Sequence, residues 1–169
     1  MTKFLDEIEA CVPSLRRYAR ALLRDVDLAD DLVQDTLERA LNKQKLWLPI
    51  GKLNSWLFKI MLNIYRNDLR SRKRQSHVVS IDDLATPPVT PPEQPAKLLL
   101  SEVASALNKL PDEQRQVLLL VAIEGFSYAE GAGILKIPIG TFMSRLGRAR
   151  STLRQLTSES GKPTLRRVK

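Results

Sequence analysis

Apolar residues recur at intervals of three and four through most of the chain, and no convincing run of strict alternation marks a half-buried strand. Ala29, Leu32, Val33, Thr36, Leu37 and Ala40 share one helical face, as do Trp56, Leu57, Ile60, Ile64 and Leu69 further on. Near the C-terminus Phe142, Leu146, Ala149 and Leu153 follow at spacings of four, three and four. The pattern predicts helices over 4–24, 28–43 and 54–74, then over 97–109, 112–124, 128–135 and 139–156. Start and stop signals agree with it. Asp112 and Glu113 after Pro111 place negative charge at the positive end of a helix dipole. Ser127 and Glu130 stand three apart as a capping box, and Pro138 suits the start of a following helix. Pro49 and Gly51 mark 44–53 as a loop. The fold class expected is all-α.

The periodicity breaks once for long. Over 76–96 five prolines (Pro87, Pro88, Pro91, Pro92 and Pro95) crowd a stretch without Lys or Arg, which predicts an extended acidic tether. Two small helical domains are therefore expected, over 1–75 and 97–157, with a disordered basic tail over 158–169. Charge sharpens the division. Residues 1–75 hold 15 Lys and Arg against 10 Asp and Glu, and residues 97–169 hold 12 against 6, while the tether contributes only Asp82, Asp83 and Glu93. With a net charge of +8 overall, both modules are suited to one polyanion and the tether is not.

Other chemistry is sparse. A single cysteine, Cys11, precludes an intrachain disulfide, suits a reducing cytoplasm and is expected to be a small buried hydrophobe. The lone histidine, His77, sits at the tether edge and is expected to be exposed. No nucleophile and base pair, zinc spacing or glycine-rich phosphate loop stands out, so no enzyme activity, cofactor, metal or small-molecule substrate is expected. The acidic, charge-broken N-terminus does not resemble a signal peptide, and no apolar run approaches the roughly 20 residues of a membrane span. A cytoplasmic, nucleoid-associated protein is expected.

The last two predicted helices form a helix-turn-helix, with a turn over 136–138. Burying the Phe142 stripe turns Thr141, Ser144, Arg145, Arg148 and Thr152 outward, with Arg150 and Arg154 flanking. Short hydroxyls near a helix start approach bases or phosphates, and arginines form forked bonds with guanine or phosphate. An isolated arginine run usually marks only a solvated face; the capped helix, turn and second amphipathic helix together favour DNA binding. A second feature lies far away: Asp31, Gln34, Asp35 and Glu38 form an acidic strip in a basic module, which suggests a basic protein partner, although an ordinary solvated face is the simpler reading of the strip alone.

The run LPDEQRQVLLLVAIEGFSYAEGAGILKIPIGTFMSRLGRARSTLR, from Leu110 to Arg154, resembles region 4 of the extracytoplasmic-function sigma factors. DLVQDT resembles the region 2 segment of the same family, and SWLFKIMLNIYRNDLRSRKR its −10 reading and strand-opening segment. The resemblance covers roughly 10–75 and 98–156, in the family's order. It implies core RNA polymerase as partner, docked through Asp31, Gln34, Asp35 and Glu38 on the clamp helices of the largest subunit, with a flap contact by region 4. It implies −35 reading by Thr141, Ser144, Arg145, Arg148 and Arg150. It also implies −10 reading by Lys52, Asn54, Asn63, Arg66, Asn67, Arg70 and Arg74, with Leu53 beside the pocket for an extruded base. Promoter DNA, an anti-sigma protein and transcription of stress genes complete what it implies. The opening PSLRRYARAL with RDVDLADDLVQDTLERAL is similar to the alphaproteobacterial general-stress subgroup. Trp56 is expected in the core, while Trp47 is left open between packing and base stacking. Three positions depart from the family: Gly131 replaces a buried aliphatic, Lys136 a frequent turn glycine, and Met143 a frequent basic residue. Gly131 is expected to loosen the motif by about 1 kcal/mol of helix propensity. A sigma-mimicking interaction module and a helix-turn-helix regulator without polymerase are the alternative functions.

Overall fold

The computed structural model describes residues 2–75 and 95–160. Among them are seven α-helices and one 3-10 turn, with no strand. The first three are α1 (Thr2–Leu23), α2 (Val26–Asn42) and α3 (Leu53–Gln75). After the segment 76–94 come α4 (Pro95–Lys109), α5 (Asp112–Ala122), α6 (Tyr128–Leu135) and α7 (Ile139–Ser160). The all-α expectation holds, and a single 3-10 turn, Gln44–Leu46, interrupts the loop before α3.

Two boundaries differ from expectation. Pro95 and Ala96, expected in the tether, open α4, where a proline in the first turn loses no helical hydrogen bond. The C-terminal tail, expected to be disordered from residue 158, begins as helix, since α7 continues to Ser160. Thr157 Oγ1 and Ser158 Oγ return to carbonyls one turn back, at 2.9 Å to Leu153 and 3.0 Å to Gln155, so polar side chains still fit the helix there. The rest of the tether, His77 and 161–169 lie outside the described residues.

Local signals explain the corners. Asp25 caps α2 by accepting from Leu28 N–H at 3.0 Å. Ser127 and Glu130 form the full capping box of α6. Arg24 and Lys136 end α1 and α6 in the left-handed region, at φ 55° and 54°. At Lys136 the bonds Lys136 N–H to Gly133 O and Ile137 N–H to Ala132 O make a Schellman motif. A non-glycine there meets its own carbonyl, which costs about 1 kcal/mol. Lys136→Gly is therefore expected to raise the urea midpoint by the equivalent of up to about 1 kcal/mol, less the entropy glycine adds to the unfolded chain. A midpoint that falls instead means that the lysine side chain stabilises the turn.

The core refines the two-domain picture. Leu15, Tyr18, Leu57, Phe58 and Met61 are fully buried from the first module, as are Leu120, Phe142 and Ala149 from the second, and one apolar cluster runs through both. Phe58 joins the two halves: its ring meets Tyr18 edge-on at 5.2 Å and Phe126 edge-on at 5.1 Å. α1 packs on α5 and α3 on α6, so the modules are closed on one another. Polar contacts line the seam. Tyr18 Oη donates to Gln116 O at 2.9 Å, and Tyr65 Oη to Asp112 Oδ1 at 3.0 Å. Burial first, and then Asp112, push the Tyr65 hydroxyl up to about 12, so it stays a donor at any physiological pH.

Candidate nucleic-acid interface

Three surfaces carry the residues singled out in the sequence. On α7 the inward stripe is as expected: Phe142, Leu146 and Ala149 are buried and Leu153 half-buried. That turns Ser144, Arg148 and Arg150 outward, with Thr141 and Arg145 half-buried. Thr141, Ser144, Arg145 and Arg148 line a groove against the start of α5, with Pro111, Glu113 and Gln114 on its far side. Arg145 Nη2 lies 3.7 Å from Glu113 Oε2, and Arg150 Nη1 donates to Tyr128 Oη at 3.3 Å. Both arginines are thus steered by neighbours from other helices, which the sequence pattern does not reveal. Met143 is 51% exposed on the same helix.

Gly131 is the main surprise of this module. It does not loosen the motif, because its missing side chain seats Phe142: a Cβ built there would lie 2.5 Å from both Cε2 and Cζ of that ring. Phe142, which is fully buried, occupies the volume that an aliphatic at position 131 would need.

The acidic strip of α2 is laid out as expected, with Asp31, Gln34, Asp35 and Glu38 all exposed and Ala29, Leu32, Val33, Thr36 and Ala40 buried behind them. The Thr36 hydroxyl donates to Leu32 O at 2.7 Å, which lets a polar residue sit in the core. Asp31 and Asp35 rim a cavity of about 400 Å³ floored by Leu32 and Leu69. Asp30, one position off the strip, faces Arg16 and Arg20 of α1 at 3.6 Å each.

On α3, Asn63, Asn67, Arg70 and Arg74 are exposed along one face, whereas Arg66 is half-buried. Arg66 Nη1 donates to the Leu135 carbonyl at 2.8 Å. Lys52 Nζ reaches Glu130 Oε1 at 2.8 Å, and that lysine first, then the Ser127 backbone, hold the Glu130 carboxyl below its usual range. Asn54 is half-buried with its Oδ1 buried and unpartnered, while Leu53 is buried and unavailable to an extruded base. Trp56 is half-buried, as the core reading expects, and stacks at a tilt on Trp47 with centroids 5.4 Å apart. That contact answers the question left open for Trp47: it is packing. The loop beyond it exposes Leu46, Leu48 and Ile50, which no periodicity signalled.

Cys11 is half-buried, and burial, followed by Glu7, pushes its thiol up, so it has little thiolate character. Among the described residues no cluster of His, Cys, Asp and Glu fits a metal ion, and no helix is long and apolar enough to cross a membrane.

Comparison with known proteins agrees with this layout. Residues 100–153 match the family model described as sigma-70, region 4, and residues 8–62 match the sigma2 domain of PhyR. The chain is 44% identical over 157 residues to the ECF RNA polymerase sigma factor EcfG of Rhodopseudomonas palustris, covering 92% of this chain and 86% of that one. The chain belongs to the extracytoplasmic-function sigma factors. Another family member, the RNA polymerase sigma factor CnrH of Cupriavidus metallidurans, is 34% identical over 75% of this chain and 72% of its own. Solved sigma factors also match across both modules. RpoE of Bartonella quintana, in complex with the anti-sigma factor NepR, superposes at TM-score 0.78 with 35% identity, over 94% of this chain and 98% of that one. PhyR in its complex with NepR shares the fold at 20% identity and TM-score 0.61, this chain spanning half of it.

Proposed function

We propose that this sigma factor binds core RNA polymerase and directs promoter recognition, strand opening and initiation, as a cytoplasmic, nucleoid-associated subunit without catalytic activity of its own. One observation carries the reading: a single chain holds an exposed acidic strip on α2 and, on a separate helix, the outward basic face of α7. A DNA-binding regulator has no need of the strip. Under this reading Asp31, Gln34, Asp35 and Glu38 dock on the clamp helices of the largest subunit. Thr141, Ser144, Arg145, Arg148 and Arg150 read the −35 element, with a flap contact by the same module. Lys52, Asn54, Asn63, Arg66, Asn67, Arg70 and Arg74 engage the −10 element.

Charge supports the division of labour. Arginines bind phosphate or the guanine edge, and carboxylates on α2 complement a basic protein surface. Glu113 is placed to tune the −35 contact, because it holds Arg145 across the groove and a carboxylate also accepts from cytosine N4. NepR and CnrY accompany RpoE and CnrH in solved complexes, which supports an anti-sigma partner here and control of stress genes. The N-terminal match to the PhyR sigma2 domain favours one second reading, a mimic that binds only a regulator.

Arg148→Ala tests the recognition helix. Transcription by the reconstituted holoenzyme is expected to lose about 1–3 kcal/mol of discrimination at one or two −35 positions, roughly a fivefold to hundredfold relaxation, with core affinity unchanged. Unaltered promoter preference in that variant removes α7 as the reader. A chain that binds a regulator but never core polymerase establishes the mimic instead.

A further inference from the structure

Two cations assigned to promoter DNA are already engaged within the chain, both by α6, the first helix of the helix-turn-helix. Arg66 donates to the carbonyl of Leu135, the last residue of α6, where aligned peptide dipoles leave partial negative charge. Lys52 donates to the carboxylate of Glu130, five residues earlier on the same helix. At 1.5 Å per residue the two acceptors are separated by about 7.5 Å along the axis. That is roughly two phosphate steps of a stacked strand, at about 3.4 Å each.

We propose that α6 is an internal decoy for the −10 strand: it offers Lys52 and Arg66 two acceptors of the charge and spacing of a nucleic-acid backbone, so the free chain masks its own strand-reading face. The inference rests on reading α3 as the −10 segment. Arg66 contributes the firmer contact, being half-buried, whereas the Lys52 side chain is 74% exposed and its pair is screened by water and salt.

Glu124 keeps the decoy seated. Its side chain is 2% exposed, yet it is an anion at the seam between modules. Arg17 grips it with a fork, Nε to Oε1 and Nη2 to Oε2 at 3.1 Å each, and the Ser14 hydroxyl donates to it as well. A buried carboxylate left without these donors is strongly destabilised, so removing them opens the seam. Opening is also required by the promoter. Its −10 and −35 elements lie roughly 25 base pairs apart, about 85 Å at 3.4 Å per pair, whereas α3 and α6 touch. The segment 76–94 reaches about 65 Å when drawn out, and the widths of the modules cover the remainder.

The test uses the full chain without polymerase. Binding of a fluorescent mixed-sequence DNA single strand is measured beside the radius of gyration in solution, for the native chain, Glu124→Arg, and the charge swap Arg17→Glu with Glu124→Arg. The native chain is expected near the compact value of about 15 Å, allowing for its terminal residues. Glu124→Arg is expected to expand and to bind the strand about tenfold more tightly or better, and the swap to restore both values toward native. Adding Arg66→Ala to Glu124→Arg is expected to remove most of the gain. Expansion without tighter binding overturns the decoy, and so does a native chain that binds as well as the opened one. A Glu124→Arg chain that stays compact overturns the clasp, and loss of helical circular dichroism in that variant passes the decision to Glu130→Gln, which is expected to give a smaller gain in binding; no gain there overturns the decoy. Failure of the underlying −10 reading is distinguishable: holoenzyme carrying Arg66→Ala then opens promoters at the native rate.

Discussion

Replacing Asp31 and Asp35 together by lysine is expected to abolish binding to core RNA polymerase while leaving the helical circular dichroism and melting behaviour near native. Both side chains are exposed on α2, and neither forms an ion pair among the described salt bridges, so reversal takes little from the fold. At the interface the effect is opposite in scale. Two attractive contacts become two like-charge juxtapositions, and such arrangements cost several kcal/mol, which corresponds to at least a hundredfold loss of affinity. Glu38→Ala, on the same strip without reversal, is expected to change affinity only a few-fold. A holoenzyme that forms normally with both lysines present removes the docking role from α2. Restoration by a complementary reversal on the basic clamp surface identifies the partner residues directly.

The second large effect is on stability. Gly131→Leu, which restores the residue type usual at this position in the family, is expected to lower the stability of the C-terminal half by more than about 3 kcal/mol. Even the first carbon of the new side chain would lie 2.5 Å from the Phe142 ring, and that ring is fully buried with no free space to enter. Gly131→Ala is expected to lose less, about 1–2 kcal/mol net, because gained helix propensity of about 1 kcal/mol offsets part of the clash. Pairing Gly131→Leu with Phe142→Ala is expected to recover part of the loss, since the two share one volume; a strictly additive double variant contradicts the shared packing. Urea unfolding followed by circular dichroism measures all three.

These two positions also mark where the sequence is legible. The strip on α2 is read from a single helical period, because burial of Leu32 and Val33 forces Asp31 and Asp35 outward. The outward face of α7 follows in the same way from Phe142, Leu146 and Ala149. Local chemistry also predicts its own structure well: the capping box at Ser127 needs only neighbours three residues apart. Gly131 is different. Its propensity argues for a loosened helix, and only the approach of a ring eleven positions later, across the turn, reverses the conclusion.

Closure of the modules lies further out of reach. Glu124 looks like one acidic residue in a short loop motif, and its partners Ser14 and Arg17 are 110 and 107 positions away. No periodicity links them, and the proline-rich break between the halves argues for separation. The same holds for Arg66 and Leu135, where the acceptor is a backbone carbonyl that any residue would supply. Arg24 and Lys136 escape notice for another reason: both adopt the left-handed conformation without the glycine that normally announces it. Each reading made from one face of one helix thus survives in the structure, whereas contacts between modules emerge only in three dimensions.

The most direct measurement is transcription in vitro by core RNA polymerase with this chain, on a library randomised across the promoter, followed by sequencing of the templates that give transcripts. The expected result is initiation that depends on the chain, with enriched templates sharing two separated sequence blocks, one upstream lost in Arg148→Ala and one downstream weakened in Arg66→Ala. Enrichment of a single block, or no transcription above core alone, would contradict a subunit that grips the promoter with both modules.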